Sequence, residues 1–129
     1  MIVDSSAIIA IVANEPSRPA LVEALAGADK IQIAAPTWLE ASIVLESQFG
    51  PTFATFMADF ETRLQATVLP FTREHALAAQ GAWQRFGKGR SPAALNFGDC
   101  IVYAAAQIAG EPVLFVGNDF TQTDVESVL

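Results

Sequence analysis

Four short apolar segments alternate with helical patterns along this chain, and that alternation restricts the possible folds more than any other feature. The segments are residues 1–3, 31–35, 67–71 and 113–116. Each has the length of a strand and is apolar on both faces, as in parallel sheets that are covered on two sides. We therefore predict an α/β fold, a three-layer sandwich in which helices flank a central parallel sheet of four to five strands.

Helical patterns fill the intervals between these strands. Their starts are predicted at four residues that favour helix N-caps or first turns: Ser6, Ser17, Thr37 and Thr72. A further apolar helix over residues 100–109 ends at Gly110. One amphipathic face is rich in aromatic rings and suits both core packing and an interface; it carries Phe53, Phe56, Met57, Phe60 and Leu64. At 129 residues, we expect residues 1–129 to form a single domain.

Charge and cysteine content limit the classes of function. The net charge of −7 is opposite to that of an ordinary nucleic-acid binder, so RNA binding would require positive charge from a metal ion or a basic partner. Cys100 is the only cysteine, which excludes an internal disulfide and indicates a reducing compartment. The apolar run over residues 7–13 is much shorter than the roughly 20 residues of a membrane span. We expect a cytoplasmic protein that does not contact a membrane.

Four acidic residues stand where the chain leaves the predicted sheet. Asp4 and Asp119 come just after the first and fourth strands, Glu40 lies one turn into the helix after the second, and Asp99 precedes the long apolar helix. Sites in parallel sheets form at the carboxyl ends of the strands, so these side chains are expected to converge. Converging carboxylates repel one another unless a cation lies among them. Mg²⁺ or Mn²⁺ prefers such oxygen ligands.

Each acid also has a simpler interpretation. Thr37 and Glu40 have the spacing of a capping box, and on spacing alone this is as good an explanation as a metal site. Asp99 has the position of a helix N-cap. Asp4 and Asp119 suit ordinary turns after strands. None of these interpretations explains why acids follow apolar strands so regularly.

Short motifs in a fixed order then indicate a family. They are Ile2-Val3-Asp4-Ser5-Ser6-Ala7, Thr37-Trp38-Leu39-Glu40-Ala41, Leu95-Asn96-Phe97-Gly98-Asp99-Cys100, Leu114-Phe115-Val116-Gly117-Asn118-Asp119-Phe120 and Thr123-Asp124. In this order and spacing, the chain resembles the PIN-domain ribonucleases of the VapC toxin family over nearly its whole length. The resemblance implies a PIN-like fold and an Mg²⁺- or Mn²⁺-dependent endoribonuclease, with one or two ions. It also implies a toxin that a VapB-type antitoxin neutralises, with a homodimer inside the toxin–antitoxin complex.

The resemblance also implies roles for individual residues. Asp4 and Asp99 match the principal metal ligands, while Glu40 and Asp119 match acids that hold the metal through water or orient the nucleophile. Ser6 matches a hydroxyl group beside the first aspartate. One smaller assignment completes the set. Asp124 matches an additional acid that some relatives place farther from the metal; its simpler interpretation is a helix N-cap, a position for which Thr123 also qualifies.

The chain's densest group of basic residues precedes Asp99. Arg85, Lys88 and Arg90 lie in one short span, and we expect them to contact RNA phosphates at the rim of the acidic site. The simpler interpretation is a solvent-exposed loop without a binding role. His75, the only histidine, is expected at a helix end and not in the site. Cys100 is expected to be a small buried apolar residue.

Two other functions have some support. A phospho-accepting receiver domain is also a small acidic α/β domain with Mg²⁺, but it requires a lysine late in the chain, and nothing basic follows Arg90. A catalytically inactive PIN-like domain that only binds partners is the second alternative. The presence of all four acids argues against it, because an inactive site is free to lose them.

Overall fold

The computed structural model describes all 129 residues and has a four-stranded parallel sheet with the strand order β3-β2-β1-β4. This confirms the predicted α/β class and the predicted parallel sheet. The elements in chain order are β1 (Ile2–Val3), α1 (Ser5–Val12), α2 (Arg18–Ala26), β2 (Gln32–Ala34), α3 (Ala35–Phe49), a 3-10 turn (Pro51–Phe53), α4 (Phe56–Leu64), β3 (Thr67–Leu69), α5 (Arg73–Phe86), α6 (Phe97–Ala109) and β4 (Val113–Leu114).

Alternation along the strands divides the core into two layers. Ile2 and Val113 point into a cluster formed with α5 and α6, whereas Val3 and Leu114, one position further along, point into a cluster formed with α1 to α4. Each cluster contains 13 buried residues. Strands β1 and β4 are therefore buried on both faces, which explains why they are apolar at every position.

Several predicted boundaries are wrong, for identifiable reasons. Helix α3 begins at Ala35, with Pro36 in its first turn, where proline's missing N–H costs no hydrogen bond, so the predicted start at Thr37 is two residues late. Helix α1 is capped by Asp4 and not by Ser6. Phe53 lies in the 3-10 turn before α4. Beyond residue 120, the only strand-like pairing is an isolated bridge between Val113 and Ser127.

The strand order places a crevice next to β1. The chain leaves β1 towards β2 on one side, while β4 pairs with the other side of β1. A reversal of this kind leaves an open crevice at the carboxyl ends of the two strands, where parallel sheets bind ligands. Asp4 stands at this point, directly after β1. No helix in the chain combines the length and the hydropathy needed to cross a bilayer.

Candidate active site

Asp4 and Asp99 are the two buried carboxylates at the end of the sheet, each with 7% of its surface exposed. Asp4 Oδ2 accepts a hydrogen bond from the Ser6 backbone N–H at 3.0 Å and a second from the Ser6 hydroxyl. Asp99 Oδ2 accepts from the Asn96 backbone N–H at 2.9 Å. In both residues the second oxygen, Oδ1, accepts no hydrogen bond from the protein. One oxygen of each carboxylate therefore orients the side chain and the other is available to a ligand.

Ser6 links the ends of two strands. Its hydroxyl oxygen donates to Asp4 and accepts a hydrogen bond from the Val116 backbone N–H at 3.0 Å, just beyond β4. The hydroxyl group thus stands beside Asp4, where the family resemblance implies it, and its Val116 bond ties this part of the site to the segment that leads to Asp119. That geometry suits a residue that holds the carboxylate in position.

Glu40 reaches the same place from α3. Its Oε1 accepts a hydrogen bond from the Ser5 hydroxyl at 2.6 Å. Its Oε2 lies so close to Gly98 that a Cβ atom at position 98 would be 2.7 Å away from it. The capping-box interpretation of Glu40 is wrong, because the N-cap of α3 is Ala34 and no side chain caps this helix.

Asp119 lies in the exposed turn after β4, and its charge acts on Asp99. The pKa of Asp99 is raised to about 6. Burial is the largest cause, the Asn96 N–H lowers the pKa, and the charges of Asp119, Asp4 and Glu40 add to the rise. Burial also raises the pKa of Asp4; the Ser6 hydrogen bonds oppose this rise and the charge of Glu40 adds to it. The four acids therefore share one electrostatic environment.

No basic side chain neutralises these acids. The three ion pairs of the chain join Glu111 to the N-terminus and to Lys30, and Asp124 to Arg85. Negative charges without a protein counter-charge are stabilised by a bound cation.

The donor set fits a hard divalent cation. As the side chains stand, no three Asp, Glu, His or Cys residues surround a common point closely enough to hold an ion. A complete protein cage is not expected for Mg²⁺, which binds one or two carboxylates and keeps several waters. The unbonded oxygens of Asp4, Asp99 and Glu40, all of the type that Mg²⁺ and Mn²⁺ prefer, are consistent with such a site.

Three residues of the site were missed by sequence reasoning. Ser5 orients Glu40, and nothing in the sequence distinguishes it from Ser6, its neighbour. Asn96 is the N-cap of α6, and its side chain accepts from the Asp99 N–H at 2.9 Å while Asp99 bonds back to it. The spacing of Asn96 and Asp99, that of a reciprocal cap, was a usable signal. Asp99 is therefore not the N-cap. Gly98 has no side chain, which leaves room for Glu40.

Asp124 makes its contacts with other residues. It accepts a hydrogen bond from the Tyr103 hydroxyl at 2.7 Å and pairs with Arg85 at 3.2 Å. The hydrogen bond from Tyr103 is the main cause that lowers the pKa of Asp124; the contact with Arg85 lowers it further, and desolvation opposes both. Burial and the nearby Asp124 carboxylate together raise the pKa of Tyr103 to about 12. No hydrogen bond joins Asp124 to any of the four acids, and it caps no helix.

The remaining polar residues have clear positions. The Arg90 guanidinium lies over the Trp83 ring, 4.1 Å from its centre, and Lys88 borders a cavity between α5 and α6. His75 belongs to the capping box of α5 with Thr72, which confirms its predicted position at a helix end. Cys100 is a buried free thiol, and burial together with the charge of Asp99 raises its pKa, as suits a small core residue.

Comparison with known proteins gives consistent results. The family model of the PIN domain matches residues 1–126. The chain is 50% identical over 127 residues to "Ribonuclease VapC36" of Mycobacterium tuberculosis, covering 98% of this chain and 91% of that protein. It is 38% identical over 128 residues to "Ribonuclease VapC" of Mycolicibacterium smegmatis, with 99% of both chains covered.

Two solved structures share the fold. A crystal structure of Mycobacterium tuberculosis VapC20, described as a toxin that cleaves the sarcin-ricin loop, aligns with a TM-score of 0.79 at 17% identity and covers 96% of this chain and 95% of that one. A toxin–antitoxin complex from Klebsiella pneumoniae aligns with a TM-score of 0.71 at 14% identity, covering 95% and 92% of the two chains. At these identities the likeness concerns the fold alone.

Proposed function

The chain belongs to the PIN-domain family, among the VapC ribonucleases, and we propose that it is an Mg²⁺- or Mn²⁺-dependent endoribonuclease toxin. The predicted family membership is thereby confirmed, and the receiver-domain alternative has no remaining support. The observation that carries the proposed metal dependence is the group of acids at the end of the sheet. Asp4 and Asp99 are buried there without any basic partner, and each keeps one unbonded oxygen.

The buried and the exposed acids are proposed to have different roles. Asp4 and Asp99 are held by backbone N–H groups and would hold one or two ions through their unbonded oxygens. Glu40 and Asp119 are exposed, so they suit contact through water or orientation of the attacking water. A bound divalent ion would supply a Lewis acid that activates water and stabilises the charge that develops on the phosphate. Ser6 keeps Asp4 in position, and Ser5 does the same for Glu40.

The proposed substrate is single-stranded or looped RNA, whose backbone is able to enter a site at the end of a sheet. Arg85, Lys88 and Arg90 are proposed to contact its phosphates, because the rest of this acidic chain offers little positive charge. Changing all three to alanine should weaken RNA binding and flatten its dependence on salt. Unaltered binding would reject this role for the basic residues.

A VapB-type antitoxin is the proposed protein partner, and a homodimer is the proposed state inside that complex. An apolar groove of about 470 Å³ between α1, α2 and α4 suits a partner's apolar side chains; Ile11, Leu25, Phe56, Phe60 and Leu64 line it. It contains much of the aromatic face identified in the sequence. We place the reaction in the cytoplasm, where RNA is available and a free thiol such as Cys100 stays reduced.

Incubation of antitoxin-free protein with total RNA and Mg²⁺ or Mn²⁺ tests the proposal. We expect cleavage that requires metal and is abolished by Asp4→Asn and by Asp99→Asn, because each change removes a buried negative ligand. Asp124→Asn is the matched control, since Asp124 pairs with Arg85. Equal cleavage by all preparations would indicate a contaminant, and no cleavage by the native protein would favour an inactive PIN-like domain.

A further inference from the structure

A cavity of about 460 Å³ lies between α5 and the first turn of α6. The aromatic residues Phe71, Trp83 and Phe97 form part of its wall, and its polar lining residues are Gln80, Lys88 and Asn96. Phe97 is 83% exposed and Trp83 is 43% exposed. Two large rings thus face solvent at the mouth of the cavity, although burying them would be favourable.

One residue of the cavity wall is hydrogen-bonded to the acidic site. Asn96, in its wall, exchanges two hydrogen bonds with Asp99, each of 2.9 Å. Between Phe97 and Asp99 stands Gly98, which lies against Glu40 Oε2. A group that occupies the cavity is therefore a neighbour of whatever lies among the four acids.

The charge of the cavity is opposite to that of the chain. Although the chain has 14 acidic and 7 basic residues, no aspartate or glutamate lines this cavity, and Lys88 does. Arg90 does not line the cavity but adds a second cation close by, because its guanidinium is stacked on the ring of Trp83, a wall residue. An apolar floor with cations at its rim suits a flat aromatic group that is attached to an anion.

We propose that this cavity is a base pocket that holds one nucleobase of the RNA strand next to the cleaved phosphodiester bond. The proposal rests on the ribonuclease function proposed above. A base would stack on Phe97, the more exposed of the two rings, beside Trp83, which already carries Arg90, as bases of single strands commonly stack on aromatic rings. Lys88 and Arg90 would contact the adjoining phosphate. The side-chain amides of Gln80 and Asn96 would bond to the edge of the base, because the Asn96 NH₂ group donates to no protein acceptor.

Fluorescence of Trp83 tests the pocket without cleavage. The chain has two tryptophans, and Trp38→Phe leaves only Trp83; this change loses no hydrogen bond, because the buried Trp38 Nε1 has no partner. In low salt, with Ca²⁺ in place of Mg²⁺ to supply positive charge at the acids, single-stranded RNA hexanucleotides should quench this fluorescence. A hexamer with the same phosphates but no bases should bind roughly tenfold more weakly, because stacking is lost.

Phe97→Ala is the decisive variant, since such an exposed side chain contributes little to the fold. It should weaken binding of the base-containing hexamers roughly tenfold and leave the abasic hexamer unaffected. Ile108→Ala is the matched control, an exposed apolar residue near the other end of α6, and should change neither. Equal binding of both kinds of hexamer, or unchanged binding by Phe97→Ala, would overturn the proposal.

The same preparations separate this inference from the proposed function and from dimerisation. Metal-dependent cleavage without base-dependent quenching would reject the pocket and leave the nuclease standing. Base-dependent quenching without any cleavage would support the pocket and count against the nuclease. If Phe97→Ala converts a dimer into a monomer in light scattering, the face is an interface between copies of this chain and the base pocket is rejected.

Discussion

Ser5 donates its hydroxyl to Glu40 Oε1 across 2.6 Å and so joins the first turn of α1 to α3. Ser5 follows Asp4 in the chain, so the same turn that caps α1 with one acid orients a second acid. The exposed Glu40 would otherwise be free to sample many rotamers. The bond gives a buried serine, absent from the predicted site, a positioning role.

Ser5→Ala should therefore reduce cleavage roughly 10- to 100-fold, because a single positioning hydrogen bond to a charged group contributes about 1.5–3 kcal/mol. Water can replace the lost bond to the exposed carboxylate, so the free energy of unfolding should fall by no more than about 1 kcal/mol. Initial cleavage rates and thermal denaturation measure the two effects. Ser42→Ala is the control, since the Ser42 hydroxyl bonds only to the Trp38 carbonyl. Equal rates for both variants would remove Ser5 from the site.

Gly98→Ala should separate activity from stability. Alanine favours a helix by up to about 1 kcal/mol over glycine, but its Cβ would lie 2.7 Å from Glu40 Oε2 and displace that flexible side chain. We expect slower cleavage and weaker metal binding with little or no loss of stability. Gly81→Ala, in α5, is the control, because no atom lies within 4 Å of its new Cβ. A Gly98→Ala enzyme with native activity would show that the position of Glu40 is unimportant.

Removal of the metal should lower thermal stability. A ligand that binds only the folded state at ten times its dissociation constant raises Tm by roughly 4 °C in a domain of this size. We expect Mg²⁺ to produce such a shift in the native protein at neutral pH, and Asp4→Asn or Asp99→Asn to abolish it. Asp124→Asn should keep the shift. Equal shifts in all four proteins would mean that Mg²⁺ binds elsewhere.

The pH dependence of stability should report on Asp99. Its pKa is about 6 in the folded protein, above the ordinary value of 3.8, so the folded state binds the proton more tightly than the unfolded state. This contribution to stability is fully present below pH 3.8 and is lost as pH rises through about 6. In EDTA, the Tm of Asp99→Asn relative to native should therefore increase between pH 4 and pH 7. Parallel curves would contradict the raised pKa.

Asp124→Asn should have small effects. The Arg85–Asp124 pair has 56% of each side chain exposed, and pairs of this kind typically contribute about 0–1 kcal/mol. We expect a loss of stability within that range and a loss of cleavage of less than about fivefold, since mutations away from strong interactions change little. Rates measured beside Asp99→Asn provide the scale. A loss as large as that of Asp99→Asn would mean that Asp124 acts in the metal site.

Much of the site could be predicted because its acids are marked by local patterns. Apolar strands buried on both faces are recognisable from hydropathy, and acids that follow them stand out, as Asp4 and Asp119 do. Helix starts were less predictable. Pro36 suggested the end of a strand but occupies the first turn of α3. Ser5 and Ser6 cannot be distinguished by their local sequence, although Ser5 bonds to Glu40 and Ser6 to Asp4.

The sequence by itself determined the α/β class and the family and marked the four candidate acids, because periodicity and short motifs are local properties of the chain. Only the tertiary structure decided that Ser5 orients Glu40, that Asp124 pairs with Arg85 and that Phe97 is solvent-exposed beside a cavity. Those contacts join residues far apart in sequence. They depend on the strand order and on how each helix packs, which no local pattern encodes.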